Sequence, residues 1–213
     1  MNNLVTLQNI PISNSVIGNL FPDISGKNQK VRELERAGEI IRLKRGLYVV
    51  SPEISGKPLS SELVANRLYG PSYVSMQTAL RYYGLIPEAV YVTQSLTVKH
   101  SRYFENAVGR FQYLSCHPDY FSIGLAQISE DGCNFVMASP EKALCDLVVN
   151  TPGLNLRYRK ELLEWLEEDI RLDMDAFSRM NPDIIRQCAA IGKKKNTLNL
   201  LVERLLCTTG GKN

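Results

Sequence analysis

The chain has 213 residues, of which 44% are hydrophobic and 22% are charged. These fractions lie near the averages for soluble globular proteins and exclude a mostly disordered, collagen-like or coiled-coil chain. No apolar run approaches the ~18 residues of a membrane-spanning helix, and the first residues lack the pattern of a secretory signal. Five scattered cysteines without a CxxC pair indicate free thiols in a reducing compartment. We therefore expect a cytoplasmic protein with no membrane partner.

The formal net charge of +3 comes from the N-terminal quarter of the chain. Residues 1–50 contain seven Lys or Arg against four Asp or Glu, and the remainder contains 18 of each kind. All seven basic side chains lie between residues 27 and 45. Such a one-sided surplus indicates either a polyanionic partner or a solvated surface of mixed charge, and charge alone favours neither.

A stretch rich in Pro, Gly and Ser separates this basic segment from the rest of the chain. Residues 51–58 read SPEISGKP, which is the composition of a linker or an extended connection. We therefore predict a domain boundary here. The N-terminal domain covers residues 1–51 and the second domain covers residues 59–213.

The N-terminal domain contains three short helical patterns followed by a hairpin, and the first of them, at residues 3–9, is too short to assign. Ser13 is placed to cap the second pattern, and Ser25 to cap the third, a helix over residues 26–37. Gly38 supplies a left-handed C-terminal cap. The sequence IIRLKRGLYVV at residues 40–50 then predicts a β-hairpin with a glycine in its turn. Short helix, turn, basic helix and basic hairpin, in this order, are typical of a winged helix-turn-helix.

The second domain shows strands in its middle and helices on either side. The predicted helices are residues 61–69, 72–84, 140–149, 160–170 and 196–206. The β-rich stretches are residues 89–99, 110–115, 123–128 and 134–138, spaced like a meander. This grouping indicates an α+β fold, in which a mainly antiparallel sheet is flanked by helices.

The basic helix carries the strongest functional pattern. A recognition helix places its N-terminal turns against base edges in the major groove, and Lys, Arg, Asn and Gln are the side chains that read bases there. The candidates for base contacts are Lys27, Asn28, Gln29 and Arg32. The candidates for phosphate contacts are Lys30, Arg36, Arg42, Lys44 and Arg45. We expect double-stranded DNA as the partner, although a winged helix used for protein contacts fits the same pattern.

Catalytic and metal-binding patterns are weak, so we expect no enzyme activity, no metal and no cofactor. Cys116 and His117 form the only adjacent Cys/His pair, which favours a partly buried thiol beside a surface histidine. The sequence has no GxSxG, GxxxxGK[ST] or GxGxxG motif. Asp173 and Asp175 have the D-x-D spacing of a metal-binding carboxylate pair. Their position directly after a Glu-rich helix favours a solvated helix end instead.

Three stretches of the second domain form a recognisable combination. They are GPSYVSMQTALRYYGLIPE at residues 70–88, the stretch through TVKHSRYF at residues 97–104, and ASPEKALCDLV at residues 138–148. Together with ERAGEIIRLKRGLYVV at residues 35–50, they resemble the AbiEi-type antitoxins of bacterial type IV toxin–antitoxin systems. The likeness spans roughly residues 10–175.

The resemblance implies a DNA-binding repressor of its own operon. It also implies that the second domain neutralises a co-encoded toxin similar to a nucleotidyltransferase, directly or indirectly. The implied DNA-binding residues are Lys27, Asn28, Gln29, Lys30, Arg32, Arg42, Lys44 and Arg45. The motif residues of the second domain are Ser75, Ala79, Leu80, Tyr83, Gly84, Pro140, Glu141, Lys142, Ala143, Leu144 and Asp146. We expect most of these motif residues to be structural.

Two other functions stay open at this point. One is a winged-helix transcriptional regulator whose second domain senses a ligand or dimerises. The other is a metal-dependent nuclease or transferase that uses scattered carboxylates such as Asp131, Asp173 and Asp175.

Overall fold

A computed structural model describes residues 3–210 of the chain. Among these residues, the strands form a three-stranded sheet and a six-stranded sheet, with helices packed around them. The predicted α+β class is therefore confirmed. No helix within the described range is both long and apolar enough to cross a membrane.

The N-terminal part folds around its own small core. Its elements are a 3₁₀ turn (Asn3–Leu7), β1 (Ile12–Ser13), α1 (Asn14–Asn19), α2 (Lys27–Arg36), β2 (Ile40–Lys44) and β3 (Leu47–Val50). Strand β3 pairs antiparallel with both β1 and β2, which gives the sheet order β1-β3-β2. The buried side chains are Leu4, Ile17, Val31, Leu34, Ile40, Tyr48 and Val50. The predicted hairpin and the inward positions of Val31 and Leu34 are thus confirmed.

The two predicted helix caps in this part have different outcomes. Ser13 caps α1 as predicted, because its Oγ accepts a hydrogen bond from the Val16 amide. The predicted Ser25 cap is wrong, since α2 begins at Lys27 and Gly26 occupies the cap position without a side-chain bond. The Gly26 carbonyl accepts from the amides of Gln29 and Lys30, at 2.9 and 3.0 Å. The first turn of α2 therefore begins after Ser25, and the Ser25 hydroxyl does not cap it.

The second part begins with two short helices and continues through the large sheet. Its elements up to the end of the sheet are α3 (Pro52–Ser55), α4 (Ser61–Leu68), β4 (Ser72–Val74), α5 (Met76–Tyr82), β5 (Val92–Thr97), β6 (Arg102–Asn106), β7 (Gly109–Ser115), α6 (Pro118–Phe121), β8 (Leu125–Glu130) and β9 (Cys133–Ala138). The helices that follow are α7 (Pro140–Asn150), α8 (Arg159–Glu164), α9 (Met174–Ser178), α10 (Pro182–Ile191) and α11 (Lys195–Gly210). A π-helical turn at Trp165–Asp169 extends α8.

The large sheet is mixed, and the meander expected from the strand spacing is wrong. Its order is β6-β7-β5-β4-β9-β8. Two pairings, β4 with β9 and β5 with β7, are parallel, and the other three are antiparallel. Strand β4 lies between β5 and β9, although β9 is distant from both of the other strands in the chain. Parallel pairs require such crossovers, which spacing along the sequence cannot reveal.

The start of the helix predicted at residues 72–84 is also wrong. Residues Ser72–Val74 form β4, and helix α5 begins only at Met76. Tyr73 and Val74 are completely buried in the sheet, where aromatic and β-branched side chains are favoured. Tertiary pairing with β5 and β9 therefore overrides the helical pattern at this position.

The hairpin β2–β3 takes part in both hydrophobic cores. Ile40, Tyr48 and Val50 face the small N-terminal core, whereas Leu43 and Val49 belong to the large core of the second part. The side chain of Asn106 in β6 donates a hydrogen bond to the Leu43 carbonyl, at 3.1 Å. The hairpin is therefore held against the second sheet by apolar packing and by a polar contact.

The serine caps provide a direct test of where the helices begin. Ser60 Oγ accepts from the Leu63 amide at 3.1 Å at the start of α4, as predicted, whereas Ser25 caps nothing. We expect Ser60→Ala to lower the free energy of unfolding by about 1 kcal/mol. Ser25 is exposed, so Ser25→Ala should change the free energy of unfolding by less than about 0.5 kcal/mol. Urea titration of the two variants checks this pair, and equal losses would contradict the assigned caps.

Gly124, just before β8, is a position where the backbone and the packing both require glycine. Its φ is +57°, and a Cβ there would lie 2.9 Å from Lys142 Cβ and 3.0 Å from Ile184 Cγ2. Gly153 also has a positive φ, +72°, but a Cβ there would meet nothing within 4 Å among the described atoms. We expect Gly124→Ala to cost about 1–3 kcal/mol more than Gly153→Ala, because only the first clashes. Thermal or urea unfolding compares them, and equal costs would refute the close contact.

Candidate nucleic-acid interface

Helix α2 has one buried face and one exposed face. Val31 and Leu34 are 2% and 3% exposed and pack into the small core. Lys27, Asn28 and Arg32 consequently point outward on the first turns of the helix. This arrangement follows from the helical period, which puts residues three or four apart on the same face.

The close approach of α1 and α2 fixes the start of α2. At Gly18 in α1, a Cβ would lie only 3.2 Å from Lys27 Cβ. Lys27 Nζ donates to the side-chain carbonyl of Asn19, at 3.3 Å. Asn14 donates in the same way to Asn28 Oδ1, at 2.7 Å, and this contact uses the oxygen of the Asn28 amide but not its nitrogen donor. The first turn of α2 is therefore held by polar contacts on its α1 side.

Helix α2 and the hairpin enclose a groove of about 390 Å³, which we call the α2 groove. Asn28, Arg32 and Glu35 line it from α2, and Arg42 and Arg45 line it from the hairpin. The side chains of the three arginines form no hydrogen bond or ion pair with any residue that the structure describes. Three unpaired cations against one carboxylate give the groove a positive field, which attracts an anionic partner.

The remaining predicted DNA-binding residues lie outside this groove. Lys30 turns toward its own domain, with Nζ 5.4 Å from the centre of the Phe21 ring and 3.9 Å from Glu33. Gln29 donates to Glu33 at 3.3 Å, and Arg36 lies exposed in the last turn of α2. Lys27 stays with Asn19. The structure thus brings together Asn28, Arg32, Arg42 and Arg45 from the nine candidates.

Lys44 lies on the other side of the hairpin. Its ammonium donates to the Leu68 carbonyl at 2.5 Å. It lines a cleft of about 620 Å³ together with the second-part residues Arg67, Lys99 and Arg102. Burial lowers the pKa of Lys44, and the nearby charges of Lys99 and Arg102 lower it further. We call this feature the junction cleft.

Sequence reasoning did not identify the second-part residues of the junction cleft. Arg67 lies in the last turn of α4, Lys99 follows β5, and Arg102 begins β6. The stretch KHSR at residues 99–102 was a usable signal, because two basic residues occur there within four positions. Its pairing with the hairpin is a tertiary contact and has no signature in the sequence.

The motif at residues 138–148 places an ion pair at the centre of the second part. Helix α7 begins as predicted, with Ser139 Oγ accepting from the Lys142 amide. Lys142 and Asp146 are both 0% exposed, and Lys142 Nζ lies 3.1 Å from Asp146 Oδ1. Asp146 Oδ2 accepts from Ser75 Oγ at 2.6 Å and from the Tyr73 hydroxyl at 3.1 Å. The spacing of four residues brings the two charges together on one face of the helix.

Burial and hydrogen bonding tie this cluster into the core of the second part. Lys142 Nζ also donates to the Tyr120 carbonyl at 3.0 Å and lies 3.0 Å from the centre of the Tyr120 ring. Burial raises the pKa of Asp146, whereas the Lys142 ammonium opposes this shift because it stabilises the ionised carboxylate. With no part of either side chain open to solvent, the pair links α7 to β4 and to α6.

The structure also places the residues that the sequence offered as weaker candidates for catalysis or metal binding. Cys116 is half-buried and His117 is exposed, as predicted, and burial raises the pKa of the Cys116 thiol to about 11. Asp173 caps α9 by accepting from the Ala176 amide, and Asp131 lies in the turn between β8 and β9. Within residues 3–210, no three side chains of His, Cys, Asp or Glu gather as a metal site requires.

The comparisons with known proteins assign no family. No protein-family model matches the sequence, and no curated protein is significantly similar to it. The functional interpretation therefore depends on the geometry of the α2 groove and on the motifs of the sequence.

Proposed function

We propose that this chain is a cytoplasmic DNA-binding repressor whose N-terminal domain is a winged helix-turn-helix. The order of a 3₁₀ turn, β1, α1, α2 and the hairpin β2–β3 supports this assignment. The sheet order β1-β3-β2 supports it too, because the hairpin then stands beside α2 as a wing. In this arrangement α2 is the recognition helix.

The α2 groove is the observation that carries the proposal. It presents Arg32, Arg42 and Arg45 without acidic partners, next to a free amide donor on Asn28. Arg pairs in a bidentate manner with guanine, and Asn pairs with adenine, in the major groove of DNA. We assign Asn28 and Arg32 to base edges. Arg42 and Arg45 are assigned to phosphates, because they lie on the hairpin rather than on the helix.

The proposed biological role is that of an antitoxin which represses its own operon. The motifs at residues 70–88 and 138–148 support this role through their resemblance to AbiEi-type antitoxins. The second domain would then neutralise a co-encoded toxin similar to a nucleotidyltransferase. Its buried Lys142–Asp146 pair would preserve the shape of that domain, and toxin neutralisation would depend on the outer surface.

A two-part experiment in cells tests the role. A reporter under the DNA upstream of this gene should be repressed by the wild-type chain and released by Arg32→Ala. Expression of the neighbouring toxin gene should stop growth, and co-expression of the wild-type chain should restore it. The Arg32→Ala variant should also restore growth, because α2 lies outside the second domain. Repression without protection would refute the antitoxin role and favour a plain regulator. Loss of both functions at equal protein level would contradict the assignment of separate tasks to the two domains.

A further inference from the structure

The second part of the chain contains a pocket that the proposed function does not use. Its volume is about 380 Å³, and its lining comes from the end of β7, helix α6 and the ends of α7 and α10. We call it the α10 pocket. Its apolar walls are Leu96, Tyr120, Val149 and Ile191. Pockets of this size with mainly apolar walls are typical of small-molecule sites.

The walls of the α10 pocket are held in place by packing. Leu96 and Tyr120 are 0% and 3% exposed. At Gly192, where α10 ends, a Cβ would lie 2.8 Å from Tyr120 Cε2, so only a glycine lets the backbone approach this ring. The Tyr120 carbonyl accepts a hydrogen bond from the buried Lys142 ammonium, at 3.0 Å. The pocket is therefore preformed, which lowers the entropic cost of binding a ligand.

The loop after α10 places a lysine beside this pocket. Lys194 Nζ donates to the Val148 carbonyl at 2.8 Å and also to the Thr151 carbonyl, so the loop is tied to the end of α7. The preceding residue, Lys193, is exposed and lines the pocket. The Lys193 ammonium forms no hydrogen bond or ion pair with any residue from 3 to 210. Its charge is therefore available to an anionic ligand.

His117 is the second residue of the lining that can bind an anion. Its Nδ1 accepts from the Asp119 amide at 3.3 Å. The neutral ring then carries its hydrogen on Nε2, which keeps a donor available. The Asp119 carboxylate lies 3.5 Å from Nδ1 but is not part of the lining, and the described lining contains no Asp or Glu. The pocket thus combines apolar walls with hydrogen-bond donors and positive charge.

This combination fits an organic anion with an apolar body. The body would cover Ile191, which is 48% exposed, and a carboxylate would pair with the Lys193 ammonium. An inorganic anion would leave the apolar walls in contact with water. A neutral apolar compound would leave Lys193 without a partner. Each of these two alternatives therefore uses only part of the lining.

We propose that the α10 pocket binds a small organic carboxylate with an aromatic or aliphatic body. Lys193 and His117 would hold the carboxylate, and the apolar walls would cover the body. The pocket shares no lining residue with the α2 groove, so the inference goes beyond the proposed function and does not depend on DNA binding.

The test measures the binding of cinnamate and of its neutral counterpart cinnamamide to the full-length chain by calorimetry. Lys193→Met removes the charge of the lining lysine and keeps much of its volume. Lys195→Met is the matched control, because Lys195 is exposed, lies two positions further along the chain and does not line the pocket. Ser115→Trp places an indole at the exposed rim of the pocket. Thermal melts establish that all three variants are folded.

The wild-type chain should bind one cinnamate with a dissociation constant below about 1 mM, as expected for a ligand of this size. It should bind cinnamamide at least about threefold more weakly, because an ion pair at an exposed rim adds a modest contribution. Lys193→Met should bind the two compounds equally, and Lys195→Met should match wild type. Ser115→Trp should lose both.

Three results would overturn the inference. The first is the absence of saturable cinnamate binding to the wild-type chain. The second is binding that survives Ser115→Trp, because the compound would then occupy another place. The third is an equal effect of Lys193→Met and Lys195→Met, or no effect of either, because the pocket would then not select an anion. Since no DNA is present, these results leave the proposed function untouched, and a failure of DNA binding would leave the pocket untouched.

Discussion

We expect Lys142→Met to lower the free energy of unfolding by about 3–5 kcal/mol, and Asp146→Asn to have an effect of similar size. Each single change removes one member of an ion pair in which both side chains are 0% exposed. The remaining charge then has no compensation and no access to water. Asp146→Asn keeps an oxygen that accepts hydrogen bonds from Ser75 and Tyr73. Its effect therefore measures mainly the cost of burying the Lys142 charge without a counter-charge.

The double variant Lys142→Met/Asp146→Asn should be less destabilised than either single variant. It removes both charges together, and methionine fills much of the volume of lysine. Urea unfolding of the four proteins at pH 7 completes a double-mutant cycle. If the double variant lost the sum of the two single losses, the two charges would be energetically independent, and the ion pair would not organise the centre of the second domain.

Arg32→Ala is the prediction with the largest expected effect on DNA binding. We expect affinity for the upstream duplex to fall by about 1–3 kcal/mol, which is about 5- to 150-fold. Arg32 is exposed on the outer face of α2 and has no partner among the described residues, so its donors are available to a base. Discrimination against the scrambled duplex should fall as well, because a base contact is lost.

Arg179→Ala is the matched control for this experiment. Arg179 is an exposed arginine at the end of α9, outside the lining of the α2 groove and the junction cleft. Its replacement should leave affinity unchanged. If Arg32→Ala weakened binding equally to all duplexes and made the salt slope shallower, Arg32 would be a phosphate contact rather than a base contact.

The elements that could be predicted from the sequence are those with a local pattern. Val31 and Leu34 lie at helical spacing, and two β-rich runs flank the glycine turn between Ile40 and Val50, so α2 and the hairpin follow from short-range rules. Strand β4 was missed because its pairing with β5 and β9 is set by distant residues. Strand β6 was missed because it is an edge strand with exposed polar side chains, such as Arg102 and Glu105.

The candidate site shows the same division between local and distant information. Arg42 and Lys44 are two positions apart, yet only Arg42 lines the α2 groove. The register shifts between them, and Leu43 turns into the large core of the second part. Such a bulge reorients the side chains that follow it. Because Arg67, Lys99 and Arg102 meet Lys44 only in the folded chain, the junction cleft could not be predicted from the sequence.

The most direct test of the account is the binding of the full-length chain to the DNA upstream of its own gene. Fluorescence anisotropy is measured with this duplex and with a scrambled duplex, at a low and a higher salt concentration. We expect at least about tenfold tighter binding to the upstream duplex, with both affinities falling as salt rises. Equal and weak binding to both duplexes would contradict specific DNA recognition. The α2 groove would then be a charged surface without a role in reading the operator sequence.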